Sequence, residues 1–437
     1  MKKMIKIAIA GLGTVGSSVI NYLEKNNNYL SKNINNQIKI VGICASNIKK
    51  SRSFDINKYV WFDDPVDMIK KTSPNIFIEL IGTEKGISYD SIKYAIEHNV
   101  HVISANKALI ANYGNELFPL AEKNNINFLF EASVAGGIPV IKIIKESLLG
   151  NNITKISGIL NGSTNYILSN MTNNELEYKV AFDNAQNEGY LEANPDFDIN
   201  GIDSAHKLSI LSSLCFKNKL TKFDSIYCEG ISKINKIDIK YAKQLNFVIK
   251  LLSVAEIIEN KLIQYVKPIM IDKNLQLAKV DGVLNGIEIT SNELGKIFFQ
   301  GNGAGGPATA SSVISDIVQI SKNNIQPSLG MSFDNLKKSD NLSIVDPLKH
   351  YNSYYIRLNV KDQKGVLADI TSHLKNHNIS IETLIQNPKD EEFQDDFIPL
   401  VFITHKTYFY NIKNSINKII SLENINNEPV VIQIDKV

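Results

Sequence analysis

Cysteine is scarce in this chain: Cys44, Cys215 and Cys228 are the only three in 437 residues, and no two stand at a metal-binding or redox spacing. A disulfide-stapled secreted protein is thereby excluded, and a reducing, cytoplasmic location is expected. Arginine is scarcer still, with only Arg52 and Arg357. Bidentate clamping of a phosphate or carboxylate is therefore confined to two places. No apolar run approaches the ~20 residues that cross a bilayer. The charged start, residues 1–6, runs straight into a short apolar strand, which is not the pattern of a signal peptide. Blocks of like charge are missing too. The 47 basic and 45 acidic residues nearly cancel, so neither a nucleic-acid surface nor a charged tail is expected. Asn, Ile and Lys are abundant throughout, so an isolated lysine carries little information by itself.

What is present is an ordered alternation. Residues 6–10, 38–44, 75–81, 101–104 and 127–130 read as strands, with helical spacing at 14–25, 89–99 and 115–124. Strands separated by helices of this length predict an α/β fold, a Rossmann-type doubly wound parallel sheet. After residue 138 the pattern changes. A helix at 138–149 and a strand at 155–160 precede a helix-rich stretch through 258. Strands at 265–271, 276–280, 286–290 and 296–300 then predict a second, α+β domain. Residues 301–307 form a glycine-rich loop that opens a helix at 308–321, and the polar stretch 323–350 reads as a linker. The tail follows the order βαββαβ, with strands at 354–360, 379–386, 397–404 and 430–434 and helices at 366–378 and 408–422. That order is the ferredoxin-like split βαβ unit, long enough for an independent domain.

Gly11-Leu12-Gly13-Thr14-Val15-Gly16 follows the first strand and opens the first helix. Glycines at these places allow the tight turn and the close backbone approach that a dinucleotide pyrophosphate needs. The second strand ends at Ala45-Ser46-Asn47, followed by Lys49, Lys50 and Arg52, with no carboxylate for an NAD ribose. That leans toward NADP, with NAD and a plainly solvated lysine-rich loop as the alternatives. Further on, Asp203 and Lys207 stand four apart at the start of a helix and share a face. The same spacing describes an ordinary surface ion pair. Here Glu192 and Asp198 lie just upstream, and such an acidic cluster can hold a substrate ammonium and keep Lys207 protonated.

Five further segments, in order, resemble homoserine dehydrogenase. They are Ser104-Ala105-Asn106-Lys107-Ala108-Leu109, the run 131–139, the run 158–166, the run 189–207 containing Gly189-Tyr190-Leu191-Glu192, and Gly301-Asn302-Gly303-Ala304-Gly305-Gly306. The resemblance implies NAD(P)-dependent interconversion of L-aspartate 4-semialdehyde and L-homoserine. It implies Lys207 as general acid/base, Asp203 as its positioner, and Lys107 as a second lysine contacting substrate and cofactor. Glu192 and Asp198 would bind the substrate. Ser104, Gly189 and Gly303 would join residues 11–16 and Arg52 around the cofactor. Glu131, Val134, Gly136 and Ile138 match the family's monovalent-cation loop, with Na⁺ as the expected ion. His206 is within reach of Asp203 but is given no role in the reaction. The implied domains are 1–137 with about 304–322 for the dinucleotide, 138–303 for catalysis and dimerisation, and 351–437 for regulation.

The tail resembles an ACT domain. Asp362, Gly365, Val366 and Leu367 stand at its first strand-to-helix turn, where an amino-acid effector can approach backbone amides. In this family the implied effector is L-threonine. A homodimer or homotetramer is also implied, and a fused kinase domain is not expected. Deleting the tail is expected to leave a folded, threonine-insensitive dehydrogenase. A phosphorylating semialdehyde dehydrogenase would need an activated thiolate, and none of the three cysteines stands in a suitable setting. An amino-acid sensor on an inactive scaffold would need a lost site, whereas every candidate residue is present.

Overall fold

The computed structural model describes residues 4–191, 194–338, 342–386 and 397–435. Its first unit is a six-stranded parallel sheet. The strands are β1 Met4–Ala10, β2 Gln37–Cys44, β3 Trp61–Phe62, β4 Ile76–Glu79, β5 His101–Ser104 and β6 Phe128–Leu129, in the order β3-β2-β1-β4-β5-β6. The connecting helices are α1 Thr14–Asn33, α2 Pro65–Thr72, α3 Ile87–Glu97 and α4 Lys107–Lys123. Ile7, Ala8, Ile9 and Ala10 are fully buried, as a strand covered on both faces must be. The order reverses between β1 and β4, so ligands are expected at the carboxyl ends of these two strands. The predicted doubly wound sheet is present. The pair β3 and α2 was missed: β3 is too short to show a period, although Asp64 caps α2 by accepting from the Asp67 amide and Pro65 starts it.

A short α turn, α5 Val140–Lys142, runs into a π-helical turn at Ile143–Ser147, where the sequence predicts one continuous helix. The second unit contains β7 Ile153–Ile159, α6 Gly162–Asn174, α7 Tyr178–Asn187, α8 Asp196–Ile199, α9 Ile202–Phe216, β8 Tyr227–Cys228 and α10 Lys236–Gln244. Then come β9 Phe247–Ile258, β10 Lys261–Asp272, β11 Leu284–Ser291, β12 Gly295–Asn302 and α11 Gly306–Ser321. Two expectations are corrected here. The stretch through 258 ends in a twelve-residue strand, β9, not in helix. Its positions 249–255 are all buried, so no inside–outside alternation marks it. Residues 277–279 form a 3-10 turn where a strand is predicted. Helix α11 returns to the first unit and packs along α1, where a Cβ on Gly306 would lie 2.3 Å from Ser18 Oγ.

The remaining elements are α12 Phe333–Lys338, β13 Ser343–Ile344, β14 Tyr351–Lys361, α13 Val366–Asn376, β15 Ile381–Gln386, β16 Phe397–Thr404, β17 Thr407–Tyr408, α14 Phe409–Ile419 and β18 Ile425–Asp435. The predicted linker is therefore not a free tether. Leu329, Phe333 and Leu336 are buried, Glu122 accepts from the Phe333 amide at 2.9 Å, and β13 pairs with β10. The tail has the expected strand order, β18-β14-β16-β15, with α13 and α14 on one face. It is not a separate body. β18 pairs in parallel with β10, Ile269 opposite Gln433 through Ile271 opposite Asp435, so one sheet runs β12-β11-β7-β9-β10-β18-β14-β16-β15 through both units.

Candidate active site

The dinucleotide loop is built by exclusion of side chains. Gly11 has φ +93°, and a Cβ there would lie 2.2 Å from the Leu80 carbonyl oxygen. A Cβ on Gly16 would lie 2.0 Å from the Gly11 oxygen, so helix and loop close only on glycine. A Cβ on Gly13 would meet nothing within 4 Å, which leaves its backbone open to a ligand at the start of α1. Thr14 and Val15 begin that helix and Leu12 is buried beneath it, an arrangement that fits a pyrophosphate on a helix N-terminus. Arg52 is placed differently from a free phosphate clamp. Its guanidinium lies 5.1 Å from the Trp61 ring centroid and donates to the carbonyls of Asn47 (2.7 Å), Lys50 (2.8 Å) and Ile48 (3.3 Å). It shapes the loop that carries the exposed Ser46, Lys49 and Lys50.

At the ends of β4 and β5 a fully buried carboxylate, Glu79, organises the floor. It accepts from the amides of Ile81 (2.9 Å) and Gly82 (3.3 Å) and from the hydroxyls of Ser88 (3.0 Å) and Ser104 (2.6 Å). Ser104 in turn accepts from the Asn106 amide at 3.0 Å, and Asn106 caps α4 through the Leu109 amide. The next residue, Lys107, is thereby set at the first turn of α4. Sequence reading gave Glu79 no role; a carboxylate ending an otherwise apolar strand was its signal.

Across from this floor, Gly201 (φ +80°) turns the chain into α9 and directs Asp203 and Lys207 at the same cleft. The Lys207 ammonium donates to Asp203 Oδ2 at 2.7 Å and to the Leu160 carbonyl at 2.6 Å. The Lys107 ammonium lies 3.0 Å from the other oxygen, Oδ1, of the same carboxylate. Asn161, the N-cap of α6, donates to Asp203 Oδ2 at 3.0 Å and to Asp198 Oδ1 at 2.7 Å. Burial opposes the charge on Asp203, yet Lys207, Lys107 and Asn161 hold its carboxyl well below the usual range. Asp203 is thus a fixed anion that aims two ammonium groups. The two lysines are not equivalent: the Lys207 side chain is 12% exposed and doubly anchored, whereas that of Lys107 is 38% exposed. Asn161 carries no role in the sequence reading, although its place between a strand and a helix marks it as a cap.

The cleft holds about 380 Å³ and brings together Lys107, Asn161, Gly189, Asp203, Lys207 and Gly303. Gly303 is obligatory, since a Cβ would lie 1.2 Å from Asn285 Oδ1, and Asn285 is itself fixed on the Ile159 carbonyl at 2.8 Å. Gly189 has φ +74° and open space around it. Glu192 lies outside the described residues. His206 is buried against Phe223, ring centroids 4.4 Å apart, and burial pushes its imidazole down to about 4. It is neutral packing at physiological pH. Burial pushes the Cys44 thiol up to about 12 and that of Cys228 to about 11, and raises Cys215 as well, so no thiolate is offered for nucleophilic chemistry.

Two further groups of expected residues lie apart from the cleft's chemistry. Glu131 is buried, and its carboxylate oxygens accept from the amides of Ile141 and Lys142, each at 2.9 Å. Burial and then the neighbouring Asp316 push its carboxyl up to about 8. Ala135 and Gly136 are both left-handed, the Gly136 carbonyl accepts from Ser312 Oγ at 2.6 Å, and Val134 and Ile138 are buried around this turn. The named oxygens are hard donors of the kind a monovalent cation takes, and here they accept from the Ile141 and Lys142 amides and the Ser312 hydroxyl. In the tail, Gly365 (φ +95°) is the N-cap of α13, with Asp362 and Leu367 exposed and Val366 buried.

Gly305 also lines this cleft, and the next residue, Gly306, lies against Thr14 at the start of α1, so the glycine loop and the two lysines stand in one region of the fold. Hydride exchange with a proton donor opposite is the chemistry of a nicotinamide-dependent oxidoreductase. Comparison with known proteins makes that class specific. Residues 11–131 match the family model described as homoserine dehydrogenase, NAD binding domain; residues 139–318 match homoserine dehydrogenase; residues 354–420 match ACT domain. The homoserine dehydrogenase of Neisseria gonorrhoeae is 36% identical over 426 residues, 96% of each chain. The solved structure of a homoserine dehydrogenase from Thiobacillus denitrificans superposes with a TM-score of 0.91 at 33% identity, over 100% of this chain and 99% of that one. A hyperthermophilic archaeal homoserine dehydrogenase solved in complex with NADPH covers 75% of this chain and 99% of its own, with a TM-score of 0.61 at 26% identity. The chain belongs to the homoserine dehydrogenase family, the NAD(P)-dependent oxidoreductases of amino-acid biosynthesis, and carries a C-terminal ACT domain. Among the described residues no helix is long and apolar enough to cross a membrane.

Proposed function

We propose that Lys207 is the proton donor in the reduction of L-aspartate 4-semialdehyde to L-homoserine, and the acceptor in the reverse direction. The observation that carries this is the shared carboxylate: Asp203 holds Lys207 and Lys107 on its two oxygens at one wall of the cleft. The bound cofactor supplies the hydride. As the aldehyde carbon gains it, negative charge grows on the carbonyl oxygen, and an ammonium aimed at that oxygen lowers the barrier. Lys207 releases its proton there, forming the alcohol, and is reprotonated from solvent. Asp203 and Asn161 fix its direction. Lys107, more exposed and on the cofactor side, contacts substrate. Asp198, held by Asn161, together with Glu192, binds the substrate ammonium. The test is an initial-rate assay with L-homoserine and either NADP or NAD, followed at the nicotinamide band. Absence of turnover with both overturns the reading.

NADP is the favoured cofactor, through the exposed Ser46, Lys49 and Lys50 at the end of β2 and the absence of an acid there; the archaeal relative's NADPH complex supports it. Glu131, Val134, Gly136 and Ile138 would hold Na⁺ as a structural ion, and no step runs through it. L-threonine would bind at Asp362, Gly365, Val366 and Leu367, and inhibit by favouring one conformational or oligomeric state. The open edges β12 and β15 support assembly as a homodimer or homotetramer.

A further inference from the structure

The long buried strand β9 carries a charge where an apolar side chain would be expected. Lys250 is 1% exposed, between the buried Ile249 and Leu251. Burial pushes its ammonium down, and the Asp281 carboxylate opposes this. A methionine or leucine would fill the same space without desolvating a charge. What the charge holds is one turn, the segment that enters β11. The ammonium donates to the Val280 carbonyl at 2.6 Å, to Asp281 Oδ1 at 3.1 Å and to Asn165 Oδ1 at 3.2 Å. Asn165 of α6 in turn places its amide nitrogen 3.0, 2.9 and 3.3 Å from the carbonyls of Val280, Gly282 and Leu284. Ser169, one turn further along α6, accepts from the Gly282 amide at 3.2 Å. Residues 280–284 are therefore tied to β9 and α6 at almost every backbone position.

This turn delivers Val283 and Asn285 to the wall of the cleft that holds Lys107, Asp203 and Lys207. It also lies against the start of α6, since a Cβ on Gly162 would stand 2.7 Å from the Val283 carbonyl oxygen. We propose that Lys250 is a positioning residue for the dehydrogenase reaction: through Asn165 and the 280–284 turn it fixes the Val283–Asn285 wall against which the amino-acid substrate is seated. The proposal rests on the dehydrogenase reading and adds a residue to it. Lys250 does not line the cleft and acts only through the turn. A site wall left without its supporting hydrogen bonds holds a substrate more loosely, and a small misplacement far from the reacting atoms is enough to be measured. The cofactor loop at residues 11–16 shares none of these bonds, so the effect falls on the substrate side.

The test is Lys250→Met in the full chain. Methionine keeps most of the volume, the Val280 carbonyl keeps Asn165, and the Asp281 side chain is 55% exposed to water, so the fold is expected to survive. The KM for L-homoserine should rise about tenfold, with the KM for NADP and kcat within about twofold of wild type. Hydrogen exchange at the Gly282 amide should quicken by about tenfold, while amides in the middle of α9 keep their rates. A merely structural lysine would lower Tm without separating the two KM values. Asn165→Ala should show the same separation, larger in size. Where Lys250→Met does not fold, Asp281→Ala takes its place, and it should raise the KM for L-homoserine about threefold. An unchanged KM for L-homoserine in the folded variant, or equal rises in both KM values, overturns the proposal. A wild type without turnover counts against the dehydrogenase reading, and the exchange rate of Gly282 still decides whether Lys250 holds the turn.

Discussion

Replacing Lys207 by Met removes an ammonium and keeps most of the side-chain volume. Two bonds are lost, to Leu160 O at 2.6 Å and Asp203 Oδ2 at 2.7 Å. Asp203 is not orphaned, because Lys107 remains at 3.0 Å and Asn161 at 3.0 Å. The stability cost is therefore that of a charged hydrogen bond, about 1.5–3 kcal/mol, below the ~5–15 kcal/mol that holds a domain folded. Loss of a positioned general acid costs about 10²–10⁴ in kcat, roughly 3–5.5 kcal/mol of barrier. The catalytic term is the larger, so a folded protein with little turnover is expected. Steady-state kinetics in both directions, with a melting curve and cofactor titration on the same sample, separate the terms. The expected pattern is a collapsed kcat, cofactor affinity near wild type and a Tm lowered by a few degrees. Lys107→Met should raise KM as well as lower kcat. If Lys207→Met retains kcat within about threefold while Lys107→Met loses about 10² or more, the proton comes from Lys107 and the assignment is wrong.

Three other outcomes follow from the same geometry. Because the Asp203 carboxyl is held below its ordinary value near ~3.9, its contribution to stability is fully present above that pH and is lost as pH falls through the folded value. Tm measured from neutral pH down to about 2 should therefore fall more steeply for wild type than for Asp203→Asn, with the two curves converging in acid. Arg357→Leu leaves the fully buried Asp238 without the guanidinium that contacts it at 2.7 and 3.2 Å, and should cost about 3–5 kcal/mol, with Asp238→Asn added to Arg357→Leu restoring part of it in denaturant melts. Lys49→Ala/Lys50→Ala should raise the KM for NADP by about tenfold at low salt and leave that for NAD unchanged; equal effects on both would assign the loop no part in cofactor choice.

The strand–helix alternation of the first unit, the glycine loop and the Asp203–Lys207 pair were legible because they rest on local rules. Glycines that admit no Cβ, at positions 11 and 16, have a sequence signature, and so does a pair of charges four apart on a helix start. Asp203 and Lys207 meet as their spacing says. That Lys107, about a hundred residues upstream, belongs with this pair was supplied by family resemblance and not by spacing, and its hold on the other oxygen of the same carboxylate is seen only in the fold. The strand β9 was hidden for a physical reason: a strand buried on both faces has no period, and its Leu, Ile and Val are shared with buried helices. Where Arg52 points was not legible, because charge alone cannot say whether a guanidinium is free or spent on the carbonyls of its own loop.

The other arginine ties the tail to the catalytic unit. Arg357 of β14 holds Asp238 of α10 with two bonds, Tyr355 donates to the same carboxylate at 3.0 Å, and Asp238 itself completes the capping box of α10 with Asn235. Helix α10 packs on α6, and the N-cap of α6 is Asn161, which holds Asp203 and Asp198. Cutting the chain before residue 351 would strip β18 from β10 and uncover the apolar side chains, Ile239, Tyr241 and Met270 among them, that share a core with Tyr355, Val401 and Ile432. Exposing several fully buried side chains costs several kcal/mol, a large share of a domain's stability. The truncated chain should therefore lose its fold or aggregate, and a clean test of regulation must keep the tail and alter single side chains. The same contacts supply a packed route by which a change at the ACT sheet can reach the carboxylate that aims both lysines. Only coupling measured between Arg357 or Asp238 variants and kcat would establish that the route is used.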